Sequence, residues 1–182
     1  MKKFYENSKT PLIVGIVAAI VFMIDGVLTR FVWSEAGYER GFVWMAFIVW
    51  AVSFGMSNND RIRLLIGCVI GFFMATSIIH FGRLFDANFI GIAVAATIGV
   101  FLFSGLVMYL DHLKKFWINS ITGVFIGAPL TFSGLGVGLA PMTFSDGALM
   151  LGMIMTYAVL GVLCAFVCVY LMGKWKKGSG KA

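Results

Sequence analysis

The chain has 182 residues and a net charge of +6; 60% of its residues are hydrophobic and only 12% charged. Soluble domains carry about 25% charged residues, so half that density cannot coat a hydrated surface, and the apolar residues come in blocks of bilayer-crossing length. The basic residues stand at the ends of those blocks rather than in one patch, which argues against a nucleic-acid partner and for the positive-inside rule.

Six apolar segments follow in chain order. The first, residues 12–32, begins after Pro11, which suits a first helical turn. It is long enough to cross a bilayer and lacks a small-residue cleavage site, so it reads as a retained helix rather than a signal peptide. The second, 41–56, is short and aromatic, with Trp44 and Trp50. The remaining four cover 64–81, 88–110, 117–135 and 147–172. Together they predict an all-α integral membrane protein with six transmembrane helices over residues 1–177, and a disordered tail over 178–182. Trp33 and Trp117 fall at segment ends, where interfacial aromatics belong.

The charges between segments supply a second reading of the span count. Lys2, Lys3 and Lys9, then Arg61 and Arg63, then Lys114 and Lys115, then Lys174, Lys176, Lys177 and Lys181 occupy alternate gaps. With six spans, those eleven lie on one side and only Arg30, Arg40 and Arg83 on the other. The bias places both termini in the cytoplasm.

Segments one, three and five share a small-xxx-small pattern at similar depth: Gly15 with Ala19, Gly67 with Gly71, and Gly123 with Gly127. Small residues four apart form a flat stripe that lets helix backbones approach closely. Ten residues after the first glycine of each stripe comes a polar group, Asp25, Ser77 or Ser133. This spacing is compatible with three repeated helical hairpins, their odd helices gathered centrally around a pathway. A similar pair, Gly91 and Ala95 on segment four, offers a contact for a homo-oligomer.

Few polar side chains lie inside the segments. Asp25 sits about 20 Å along the first, where a carboxylate costs a few kcal/mol unless protein or water shelters it. His80, near the outer end of segment three, reaches comparable depth and is its candidate partner, with a pH-sensitive gate as one outcome and an ordinary interfacial histidine as the other. Thr76, Ser77, Thr131 and Ser133 add hydroxyls, each able either to line a neutral pathway or to bond its own helix. Pro129 breaks the hydrogen-bond ladder of segment five and frees a carbonyl. The glycine-rich run 134–141 reads as either a re-entrant or an external loop, and Asp146 as a cap for segment six. Cys68, Cys164 and Cys168 all fall within apolar segments and read as packing. No catalytic motif, metal cluster or cofactor signature is present, so no enzyme activity, metal or cofactor is expected.

The run from Trp117 to Gly134, and above all its Gly-x-Phe-Ile-Gly-x-x-x-Thr-Phe-Ser-Gly core from Gly123, resembles the small bacterial inner-membrane proteins called YcdZ-like, the domain-of-unknown-function-1097 family. The resemblance would cover nearly the whole chain, Pro129 being a departure from it. It implies a six-span protein of the bacterial inner membrane and carries no activity or functional residues. The residues themselves lead to a channel or facilitator for a small polar solute, neutral or weakly cationic. A non-transporting assembly or sensor component is the alternative.

Overall fold

The computed structural model describes residues 2–38, 41–83, 89–112, 120–136 and 143–179, and among these it is helical with no strand. The elements are α1 (Lys2–Leu28), continued by a π-helical turn (Thr29–Trp33), then α2 (Val43–Ser53), α3 (Asn58–Arg83), α4 (Phe89–His112), α5 (Ile121–Gly136) and α6 (Phe144–Ser179). Among the described residues, three apolar stretches are long enough to cross a membrane: Thr10–Trp33, Asn58–Phe81 and Phe144–Lys174. The first two, of 24 residues each, reach about 36 Å against a hydrocarbon core of about 30 Å. The solvent of these helices is lipid. On α1, Phe22 is 62% and Met23 73% exposed, and on α4 Phe101 is 77% exposed, a surface that water would not tolerate.

The chain divides into two compact units, Met1–Met56 with Tyr157–Ala182, and Ser57–Thr156. In the second, α3 packs along α5 over their small-residue stripes and also against α4. A β-carbon on Gly67 would stand 2.8 Å from the Gly123 Cα, and one on Gly127 would stand 2.7 Å from the Cys68 Cα, so the two backbones are in direct contact. In the first unit, α6 packs on α2 in the same way: a β-carbon on Gly161 would meet the Trp50 nitrogen at 2.9 Å. Gly15 has nothing within reach and Ala19 is exposed, so the stripe of α1 faces outward.

Local capping sets several helix starts. Ser57 and Asp60 bond reciprocally at the start of α3, the Asp60 N–H to Ser57 Oγ at 3.2 Å and the Ser57 hydroxyl to Asp60 Oδ2 at 2.6 Å. Before α6 the Asp146 N–H bonds Thr143 Oγ1 at 3.2 Å and the Thr143 backbone N–H bonds Asp146 Oδ2 at 3.1 Å, so Thr143 is the cap and Asp146 its partner. Ser120 Oγ accepts the Gly123 N–H at 3.1 Å and caps α5. Arg61 lies in the first turn of α3, buried, with its guanidinium donating to Asn58 Oδ1 at 2.8 Å. α6 continues through Gly178 and Ser179, the first residues of the tail expected to be disordered. The expected starts at Asn88 and Trp117, most of the glycine-rich run, and residues 180–182 lie outside the described residues.

Candidate functional site

The N-terminus of α2 has no cap of its own. Its N-cap residue is Phe42, with no side-chain hydrogen bond, and Gly41 before it offers none. Yet the N–H groups of a first turn need acceptors, above all inside a membrane. Asp25 of α1 fills the gap from 17 residues away: its Oδ1 accepts the Phe42 N–H at 3.0 Å. A carboxylate at that place also meets the positive end of the α2 dipole. The same oxygen accepts the Tyr157 hydroxyl of α6 at 2.5 Å. Hydrogen bonds to a charged group contribute about 1.5–3 kcal/mol each, so two of them are large enough to offset the roughly 2.5–3.5 kcal/mol of inserting an aspartate on the lenient scale. Asp25 is accordingly buried, at 5% exposure.

The π-helical turn completes this network. Along an ideal α-helix a residue eight positions after Asp25 is rotated by about 80° from its face, whereas one seven positions after is rotated by only about 20°. A π turn accommodates an extra residue, so Trp33 takes the place above Asp25 that position 32 would hold in an unbroken helix, and Val32 is left exposed. Trp33 ends the apolar run and is buried, and its Nε1–H donates to the Tyr157 hydroxyl at 2.9 Å. Trp33, Phe42 and Tyr157 pack ring against ring, with centroids 6.2 to 6.3 Å apart. The helix then ends in a Schellman motif: the Tyr38 N–H bonds the Trp33 carbonyl at 2.9 Å, the Gly37 N–H bonds that of Ser34 at 3.0 Å, and Gly37 carries φ 87°.

Beside Asp25 opens a cavity of about 410 Å³, lined by Asp25, Gly26, Thr29, Arg30, Ser34 and Gly41. That volume is within the range of about 300–1,000 Å³ for small-molecule sites. Oδ2 of Asp25 points toward Gly41, where a β-carbon would collide with it. The Thr29 hydroxyl is buried and has no hydrogen-bond partner among the described residues. Ser34 Oγ donates to the Arg30 carbonyl at 2.6 Å.

The other residues expected to line a pathway belong to the second unit. His80 is exposed near the end of α3. The Thr76 hydroxyl is buried without a partner among the described residues, while Ser77 Oγ bonds the Phe73 carbonyl at 2.8 Å. Thr131 is fully buried and bonds the Gly127 carbonyl at 2.7 Å; Pro129 and Ser133 are exposed on α5. Both bonded hydroxyls thus serve their own helices. Where Gly67 and Gly71 meet Gly123 and Gly127, the backbone contact leaves no room for a solute between α3 and α5. The side chains of the Gly91 stripe lie outside the described ones.

Sequence reasoning missed Tyr157, Phe42, Thr29 and Arg30. One signal was present: Tyr157 is a phenol in the middle of a long apolar segment, where such a hydroxyl needs a partner. Compared with known proteins, the chain matches no family, no curated protein and no solved structure.

Proposed function

We propose that the protein is a six-span membrane facilitator for a small polar solute, neutral or weakly cationic, and that the cavity beside Asp25 is its mouth on the non-cytoplasmic face. The observation that carries this reading is a carboxylate 5% exposed, fixed by two donors on one oxygen, beside an open cavity to which Thr29, Arg30 and Ser34 contribute. A purely structural cap would have no need of that cavity. The length of α2 is compatible with six spans. Its 11 residues cover only about 16 Å, but it starts level with Asp25, about 12 Å before the Trp33 end of the α1 run, so less of the bilayer remains to be crossed. The alternation of basic residues favours both termini in the cytoplasm, and the YcdZ-like resemblance favours the bacterial inner membrane.

The test is flux into liposomes holding the purified protein, against amides such as urea, amines and ammonium. At least one solute is expected to enter faster than into empty liposomes, and Asp25→Asn is expected to slow it by about tenfold, the equivalent of one lost ionic contact. Folded protein that accelerates none of them would overturn the reading. One observation favours a non-transporting assembly component instead: the α3–α5 seam is closed backbone to backbone. A stable complex with a second membrane protein, without flux, would support that alternative.

A further inference from the structure

The cavity beside Asp25 carries two opposite charges that do not pair. Asp25 and Arg30 both line it, yet Arg30 forms no ion pair among the described residues; its guanidinium lies 5.6 Å from the centre of the Phe31 ring instead. Between them in sequence stands Thr29, whose buried hydroxyl lacks a partner. Each candidate solute class meets this set differently. A simple cation is drawn to Asp25 but repelled by Arg30, and a simple anion the reverse. A neutral amide leaves both charges unused. A solute with an ammonium and a carboxylate a few bonds apart uses both, and its remaining donor or acceptor can reach Thr29.

We propose that the cavity binds a small zwitterion of the amino-acid type, its ammonium on the free side of the Asp25 carboxylate and its carboxylate on the Arg30 guanidinium. This rests on the facilitator reading for its biological sense, but not for its chemistry. Arg30 is exposed and its guanidinium can swing over the opening, whereas Asp25 is held still by Tyr157 and the Phe42 N–H. The arrangement is one fixed anion and one mobile cation.

The test is equilibrium binding by titration calorimetry to the full-length protein in nanodiscs. The probes are glycine and alanine, glycine methyl ester (ammonium only), acetate (carboxylate only) and urea. Glycine or alanine is expected to bind at least tenfold more tightly than either singly charged analogue. Arg30→Gln, at an exposed position that does not endanger the fold, is expected to weaken zwitterion binding about tenfold and to strengthen binding of the ester by removing repulsion. Asp25→Asn retains an acceptor for Tyr157 and Phe42, and is expected to weaken zwitterion binding while relieving the exclusion of acetate. Equal affinity for zwitterion and ester, zwitterion binding indifferent to Arg30→Gln, or no zwitterion binding by folded protein would each overturn the proposal. Zwitterion binding without flux would leave it standing and overturn the facilitator reading. Flux of urea without zwitterion binding would do the reverse.

Discussion

At Tyr157 one hydroxyl serves two partners, accepting from the Trp33 indole and donating to Asp25. Serial bonds of this kind polarise one another where water is excluded, and removing the central group leaves a buried donor unpaired. Tyr157→Phe is therefore expected to destabilise the folded protein by about 1–3 kcal/mol, read as a lowered thermal midpoint in detergent. The same measurement separates two accounts of Asp25. Asparagine keeps an acceptor for the Phe42 N–H and leucine does not, so Asp25→Leu is expected to cost clearly more than Asp25→Asn. Equal costs would show that capping α2 is not the stabilising role of Asp25. The expected partner, His80, is exposed and lies in the other unit, and the two donors on Asp25 both come from its own.

Between elements, one sequence pattern has two structural outcomes. Gly67, Gly71, Gly123 and Gly127 lie in a backbone contact, while Gly15 and Ala19 of the matching α1 stripe face open space. A small residue permits close approach without requiring it; the neighbouring helix decides. Gly71→Leu is expected to disrupt the α3–α5 seam, because the added side chain would run into the Val124 carbonyl and the Gly127 Cα. Overpacking a fitted core costs about 1–3 kcal/mol, and here backbone rather than flexible side chain stands in the way. Gly15→Leu adds apolar surface toward lipid on a helix that gains propensity, and its thermal midpoint is expected to match or exceed that of the unaltered protein. A destabilised Gly15→Leu would point to a partner seated on the α1 stripe.

For the whole molecule, the span count is a question of parity. If only the three long apolar stretches crossed, a cytoplasmic N-terminus would leave the C-terminus outside; six crossings return it to the cytoplasm. Reporter fusions decide between these. A reporter active only in the cytoplasm is expected to work when fused after the C-terminus and to fail when inserted at the Gly37 turn. The opposite result at the C-terminus would remove the six-span proposal.

The sequence by itself determined that the chain is helical and belongs in a membrane, because hydropathy and charge are read from residues a few positions apart; it marked Asp146 for the start of the last helix, where Thr143 is the cap and Asp146 its partner. It also singled out Asp25, since a lone carboxylate in an apolar run must be sheltered. Which groups shelter it was decided by the tertiary structure alone. The Phe42 N–H is 17 residues away and the Tyr157 hydroxyl 132, and an added residue in the π turn rotates Trp33 into reach. Partners at such separations follow from how helices pack against one another, and no local pattern along the chain encodes that.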